Sequence, residues 1–162
     1  MADGIVIKQN PTKIANILKT VQADQGDKSL TVGFYPKSKY ITEDTVEYVA
    51  SVAYDNEYGT TSKDGKPDVP SRPFFQRAVN QMRKEYPALY KKSVPQHKVT
   101  EQTLNLIGVE FVNKIRQSIA GEFGEFVPNS PLTVFLKKSD KPLMDTGVLI
   151  QSANYQVNDD GN

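Results

Sequence analysis

The clearest helical pattern in this chain is Val99-Thr-Glu-Gln-Thr-Leu-Asn-Leu-Ile-Gly-Val-Glu-Phe-Val-Asn-Lys-Ile-Arg-Gln-Ser-Ile-Ala120. Its apolar residues recur every three or four positions, which places them on one face of a helix. That face contains Leu104, Ile107, Gly108, Phe111, Val112, Ile115 and Ile119, and the other faces contain Glu110, Asn113, Lys114 and Gln117. Because Gly108 has no Cβ, a neighbouring element can approach the helix closely at that point. The segment predicts a long amphipathic helix that covers a core.

A second long helix is predicted upstream, beginning at Pro73, because proline favours the first turn of a helix. Its apolar stripe consists of Phe74, Phe75, Ala78, Val79, Met82 and Tyr86. Pro87 should bend or interrupt this helix, since proline has no backbone N–H to donate.

Two shorter helices are predicted nearer the start of the chain. The first begins at Asn10-Pro11, an N-cap followed by proline, and it carries Ile14, Ile17, Leu18 and Val21 at helical spacing. The second begins after Thr42 with two acids, Glu43 and Asp44, and continues through Val46, Val49, Ala50 and Ala53 until Gly59 ends it.

Alternation of apolar and polar residues predicts the strands. Leu30, Val32 and Phe34 alternate with Thr31, Gly33 and Tyr35 until Pro36 stops the strand, and further strands are expected at 5–7 and 153–157. The segment from Thr60 to Arg72 is rich in polar residues and breakers and predicts a mobile surface loop, and the chain from Gly121 to Ala153 is expected to be irregular.

These elements predict an α+β fold, in which a small, mostly antiparallel sheet packs against two longer helices plus shorter helices. A chain of 162 residues can sustain a single core, so one domain is expected over residues 1–157, with a flexible C-terminal end at 158–162.

Composition excludes several classes of function. The 20 basic and 19 acidic residues give a net charge of +1, so no overall field attracts nucleic acid or an anionic membrane. No apolar run approaches the length of a membrane span, and no secretion signal is visible. Two lysine pairs, Lys91-Lys92 and Lys137-Lys138, read as ordinary surface charge that allows only non-specific proximity to DNA.

A chain with no cysteine and a single histidine offers few routes to catalysis. It cannot form a disulfide or use a thiol nucleophile, and a zinc site would lack ligands. His97 lies in the polar linker Pro95-Gln96-His97-Lys98 and is interpreted as a solvated loop residue. No glycine pattern matches a phosphate loop or a dinucleotide site. The sequence therefore predicts a protein that is not an enzyme, with no catalytic, cofactor-binding or metal-binding residues.

Asp145-Thr146-Gly147 is the one catalytic candidate, since Asp-Thr-Gly after apolar residues is typical of half an aspartic-protease site. The chemistry needs two such aspartates sharing a proton, which only a homodimer would supply here. In that family an apolar-apolar-Gly segment follows the turn, whereas the nearest equivalent, Leu106-Ile107-Gly108, precedes it inside a predicted helix. The competing interpretation is structural: Asp145 caps a turn or helix, and Gly147 supplies a backbone angle that other residues resist.

Two blocks of sequence contain further motifs. The first follows the pattern Asn-Glu-aromatic-Gly and then Pro-x-Arg-Pro-Phe-Phe, and it contains Asn56, Glu57, Gly59, Arg72, Pro73, Phe74 and Phe75. The second contains Pro128, Ser130, Thr133, Lys137, Lys141, Pro142, Leu143, Asp145, Thr146 and Gly147. Both blocks resemble motifs of the tail-completion and head-tail joining proteins of long-tailed bacteriophages, including relatives of minor tail protein Z. With the long helix between them, they extend the resemblance over about residues 30–157.

The resemblance implies a structural virion protein in the neck or proximal tail, assembled in the cytoplasm of a bacterial host. Such a subunit forms a homo-oligomeric ring, hexameric or in some cases dodecameric, that lets a finished tail join a DNA-filled head. Its partners would be neighbouring neck, tail-terminator or tail-tube proteins, with no membrane and no cofactor. A regulatory or DNA-binding domain ranks lower, since no recognition helix with base-reading side chains is visible.

The residues of the two blocks permit both an interface and a structural interpretation. The Glu57 to Arg72 loop and the Pro128 to Pro142 segment are predicted to contact neighbouring subunits, because proline-containing loops lose less conformational freedom when they order at an interface. Alternatively, Phe74 and Phe75 simply begin a core helix, and Arg72 pairs with an acid such as Glu57 or Asp145.

Overall fold

The computed structural model describes residues 6–8, 18–22, 28–41, 45–93, 100–144 and 146–159. The predicted helix start at Asn10-Pro11, the cap at Thr42, His97 and the chain end after Asp159 lie outside these residues. Within them the chain forms an α+β fold of five helices and small, largely antiparallel sheets, as predicted.

A three-stranded antiparallel sheet carries one wall of the core. Its strands are β2 (Leu18–Gln22), β3 (Lys28–Phe34) and β8 (Ala153–Asp159), with β3 in the middle. Leu30, Val32 and Phe34 of β3 have no exposed surface, which confirms the strand and its inward face. The final strand is confirmed as well, with its residue Val157 paired to Leu30.

A second three-stranded sheet contains β1 (Val6–Lys8), β5 (Thr45–Tyr48) and β4 (Lys39–Ile41), in that order. β1 pairs parallel to β5, while β4 pairs antiparallel to it. A short hairpin of β6 (Thr60–Thr61) and β7 (Pro67–Val69) completes the strands of the described chain.

Two long helices cover the first sheet. They are α2 (Phe74–Ser93) and α3 (Glu101–Ile119), which pack against each other, and α3 also packs on β3 and β8. The Thr100 hydroxyl caps α3 by accepting the N–H of Thr103 at 3.2 Å, and the predicted apolar face of α3 is buried. Both long helices were predicted, but the alternative that Pro87 interrupts the first of them is wrong, because α2 continues through Pro87 to Ser93.

The core is centred on aromatic residues from both layers. The ring of Phe34 meets that of Phe74 edge-on, with centroids 5.9 Å apart, and lies 6.5 Å from that of Phe75. Phe75 stacks in turn on Phe111 of α3. Phe74 and Phe75 are both nearly inaccessible, so the core interpretation of these two motif residues is confirmed.

Two predicted elements near the start of the chain are wrong in part. Leu18 and Val21 lie in β2, because the open edge of β3 supplies partners for a strand there, with Leu18 opposite Gly33. The helix predicted from Thr42 begins only at Val49, since Thr45–Tyr48 forms β5; this helix, α1 (Val49–Tyr58), follows the strand directly. Strand and helix share one unbroken apolar pattern, which imitates a single helix.

Two segments predicted to lack regular structure do contain some. The segment from Thr60 to Arg72 contains the β6–β7 hairpin, whose turn is closed by a hydrogen bond from Ser62 N–H to Lys66 O of 2.8 Å. The region after Gly121 contains α4 (Pro131–Lys137) and α5 (Val148–Ser152). Neither short helix has the buried apolar face by which a helix is recognised in a sequence, because α4 has no buried residue and α5 has only Leu149.

Candidate interaction site around Arg72

Arg72 joins the two motif blocks. Its Nε donates to the carbonyl oxygen of Val127 at 3.0 Å, and its Nη2 donates to the Pro128 carbonyl at 3.4 Å and to Asn129 Oδ1 at 3.1 Å. On the other side, Nη1 donates to Asn56 Oδ1 at 3.3 Å. The fork of the guanidinium group thus connects the end of α1 to the approach to α4.

Arg72 is buried, with only 7% of its surface exposed. Burial lowers the pKa of Arg72, because the charged form loses hydration. The oxygen atoms around the guanidinium compensate by presenting the negative ends of their dipoles. The backbone of Arg72 is held as well, since its N–H donates to the Asn56 carbonyl at 2.7 Å.

Glu57, in the same motif block, caps the first turn of α2. Its two carboxylate oxygens accept the backbone N–H groups of Phe75 and Gln76, at 2.7 and 2.8 Å. These donors belong to the first turn of α2, where no intrahelical acceptor exists and where the helix dipole favours a negative charge. Glu57 is 3% exposed, so this cap is an internal one that ties α1 to α2.

Gly59 ends α1, as predicted, and brings the chain close to β7. Its φ is +76°, and its N–H donates to the Asp55 carbonyl at 2.9 Å. A Cβ at this position would lie 2.9 Å from the carbonyl oxygen of Val69. Glycine is therefore required here both for the backbone angle and for the close approach.

Ser130 and Asn129 position α4. The Ser130 hydroxyl accepts the N–H of Thr133 at 3.2 Å, and the two hydroxyl oxygens lie 2.8 Å apart. Pro131 occupies the first helical turn, and the helix ends at Lys138 in the left-handed conformation. Asn129 also donates to the Lys141 carbonyl at 3.3 Å, which ties the chain after α4 to the chain before it.

The surface of α4 is apolar and exposed. Leu132, Phe135 and Leu136 are 67%, 78% and 70% exposed, and we call them the α4 triad. Lys137 and Lys138 follow directly at the end of the helix, and both are exposed. A short helix that buries none of its residues in its own chain presents its apolar side chains outward.

A pocket of about 230 Å³ lies between the two blocks. Its lining includes Asn129 and six of the predicted interface residues: Asn56, Arg72, Lys137, Leu143, Thr146 and Gly147. Gly147 has a φ of +77° and precedes α5, which confirms the predicted backbone role. Asp145 lies outside the described residues, so its predicted cap and its proposed pairing with Arg72 remain predictions.

The other predicted residues lie apart from this pocket. Pro73 precedes α2, and its carbonyl accepts the Arg77 N–H at 3.2 Å. Lys141 and Pro142 line a second pocket, of about 480 Å³, next to Phe126. The sequence interpretation missed the α4 triad, although Pro-Leu-Thr-Val-Phe-Leu between a Ser cap and two lysines is a visible apolar signal.

Among the residues that the structure describes, no group of three His, Cys, Asp or Glu could hold a metal ion. In the same part of the chain, no helix combines the length and the apolar character needed to cross a membrane.

Comparisons of the chain with protein-family models, with curated proteins and with solved structures gave no match. The resemblance of the two blocks to phage proteins therefore rests on their own residues.

Proposed function

We propose that this protein is a structural subunit of a tailed bacteriophage, a tail-completion or neck protein that forms a ring at the head-proximal end of the tail and enables head-tail joining. The observation that carries the proposal is the set of contacts at Arg72. Two sequence blocks that resemble the same family, and that are far apart in the chain, meet at this one buried side chain. Because the two blocks contact each other in the fold, there is a physical reason for both to occur in one chain.

The exposed α4 triad supports a role in assembly. Large apolar patches on a soluble protein mark surfaces that bind other proteins, whereas a single exposed leucine needs no explanation. Three neighbouring side chains on one short helix are such a patch. The Ser130 cap orders the first turn of the helix, and Asn129, just before it, donates to the Lys141 carbonyl beyond its end. A surface that is ordered before binding loses less conformational entropy on association.

The test is deletion of the gene from the phage that carries it, followed by negative-stain imaging of the lysate. DNA-filled heads beside separate, normal-length tails are the expected result. The wild-type gene supplied in trans should restore joined particles, which controls for effects on neighbouring genes. Abnormally long or absent tails would place the protein in tail-length termination or tail building instead. Normal infectious particles would overturn the proposal.

A further inference from the structure

A groove on the opposite side of α1 has the size and chemistry to receive the α4 triad. Tyr54 and Tyr58 of α1 form one wall, with ring centroids 4.6 Å apart, and Val69 and Pro70 lie along the other. We call this the tyrosine groove. Its volume is about 390 Å³. The groove is open to solvent and is also lined by Thr60, Thr61 and Ser71. Its volume exceeds the ~150 Å³ that accepts a benzene ring, so a phenylalanine ring can lie along it.

The charges beside the two surfaces are opposite. The segment 137–141, which ends α4 and follows it, carries three exposed lysines and one exposed aspartate, a net charge of +2. The tyrosine groove is lined by Asp55, and the β6–β7 hairpin carries Asp64 and Asp68 with Lys63 and Lys66, which gives these five residues a net charge of −1. Two α4 triads placed face to face would bring two net positive segments together, which opposes a symmetric contact between identical surfaces. A triad placed in a tyrosine groove instead brings a net positive segment to a net negative one.

The α4 triad and the tyrosine groove are on different sides of α1, so binding at one does not block the other. Val52 and Asn56 are four residues apart in α1 and line the 230 Å³ pocket beside Arg72, on the side of α4. Tyr54 and Tyr58 are also four residues apart, but they lie about half a helical turn round from the first pair and line the tyrosine groove. One copy can therefore offer its triad to one neighbour and its groove to another.

We infer that the α4 triad of one copy of this chain docks in the tyrosine groove of the next copy, so that copies associate head to tail; the inference rests on the proposed structural function and specifies the contact within it. The triad exposes roughly 400 Å² of apolar surface, judged from the usual size of such side chains. A stable interface buries about 800 Å² on each partner, so the lysine and aspartate rims must supply the rest. A head-to-tail contact makes a closed ring when its rotation closes.

The absence of cysteine from the sequence makes a cross-linking test direct. Lys138→Cys and Asp68→Cys place thiols on the two rims and leave the apolar residues intact. Each variant, and the double variant, replaces the gene in the phage, and purified particles are treated with a short bis-maleimide. In the double variant we expect a ladder of covalent multimers on a denaturing gel. Either single variant alone should give only monomer, and particles grown with both single variants together should give covalent dimers and nothing larger.

The matched control replaces Lys138→Cys by Ile41→Cys, at a residue of β4 that is 78% exposed. Together with Asp68→Cys it should give only monomer. Dimers from Lys138→Cys alone would indicate a symmetric contact and overturn the inference. Particles that contain the chain by mass spectrometry, but give no ladder with the double variant, would also overturn it while the proposed function stands. Particles that lack the chain would overturn the proposed function, and the inference with it.

Discussion

At the scale of single residues, Arg72 stabilises the fold mainly by hydrogen-bonding two separate segments to each other, and its charge matters less. Its guanidinium is the donor to four oxygens on two separate segments, and Arg72→Ala would remove all four of these partly buried hydrogen bonds. We expect a loss of about 3 kcal/mol in the free energy of unfolding, or roughly 10 °C in melting temperature. Thermal and urea unfolding of the purified variant measure this. The free energy of unfolding of Arg72→Lys should lie between those of the wild type and Arg72→Ala, because an ammonium group cannot reproduce the planar fork of the guanidinium.

Arg77 provides a matched control for that prediction. It also donates to carbonyl oxygens of a neighbouring loop, those of Gly124 at 2.7 Å and Glu125 at 3.0 Å, and it lies over the Phe126 ring. Its contacts are exposed to solvent, so Arg77→Ala should cost only about 1 kcal/mol. If Arg72→Ala destabilised the fold no more than Arg77→Ala, the connecting role of Arg72 would be wrong.

The sequence alone could predict that Arg72 matters but not what it contacts. Its motif position was visible, and an acid was the natural partner to expect. Among the described residues it binds the carbonyl oxygens of Val127 and Pro128, which no sequence pattern marks, and the side-chain oxygens of Asn56 and Asn129. Its pairing with Asp145 remains a prediction. Glu57 was singled out correctly, yet its role as a cap for α2 depends on α1 and α2 meeting in space.

Tyr35 makes a prediction about alkaline pH. Its hydroxyl donates to the Thr31 carbonyl at 2.6 Å, and burial raises the pKa of Tyr35 to about 12. In the unfolded chain the phenol ionises near pH 10, so unfolding releases a proton between pH 10 and 12. The free energy of unfolding should therefore fall as the pH rises through that window. Below pH 10 both states hold the proton and Tyr35 gives no pH dependence.

Urea unfolding at a series of pH values from 9 to about 11.5 checks this, with Tyr35→Phe as the comparison. The variant loses a hydrogen bond at every pH, so the slopes against pH are compared and not the absolute stabilities. We expect a shallower decline in Tyr35→Phe. Some slope should persist, because burial and the Glu57 charge also raise the pKa of Tyr58. Equal slopes in the two proteins would contradict the assignment to Tyr35.

At the scale of elements, the contact of α3 with β8 is decided by Gly108. A Cβ there would lie within 2.6 Å of Cγ in the Tyr155 ring, well inside contact distance. Helix propensity alone favours Gly108→Ala by about 1 kcal/mol, whereas overpacking costs about 1–3 kcal/mol. Packing should win, so we expect Gly108→Ala to destabilise the protein by about 1–2 kcal/mol in urea unfolding.

Removing the obstructing ring should reverse the sign of that effect. Tyr155→Ala alone is destabilising, because it deletes partly buried aromatic surface. In that background, however, Gly108→Ala meets no ring and should become stabilising by about 1 kcal/mol. A double-mutant cycle with these two substitutions measures the coupling. Additive effects would show that the close approach of Tyr155 does not constrain Gly108.

The elements that were predicted correctly are those whose apolar pattern is complete within one segment of the sequence. The spacing in α3 and the alternation in β3 repeat often enough to identify both, and the glycine in α3 correctly indicated a close neighbour. β2 was mistaken for helix because Leu18 and Val21 are also three apart on a helix, and only its pairing with β3 decides the matter. α4 escaped prediction because helices are recognised by a buried face, and its apolar residues face outward.

At the scale of the whole molecule, the self-association that we propose must depend on local surfaces. A net charge of +1 provides almost no long-range repulsion or attraction between copies. The apolar area of the α4 triad is about half of one partner's share of a standard interface, so a single contact should be weak. A ring strengthens such contacts because each copy is held at two places, and breaking one contact does not release it. Weak pairing in dilute solution is therefore compatible with stable assembly in a particle.

Phe135→Asp tests whether the triad serves assembly or folding. The ring is 78% exposed, so replacing it should change the melting temperature of the purified chain by no more than about 2 °C. In the phage the same substitution places an unpaired carboxylate in the apolar centre of the proposed contact, which should cost several kcal/mol there and lower infectivity at least a hundredfold. Ile41→Asp has the same exposure and the same new charge, and it should leave both melting and infectivity near wild type. If Phe135→Asp melted far earlier, the triad would belong to the fold of its own chain. Equal infectivity for the two variants would mean that the triad is not used in assembly.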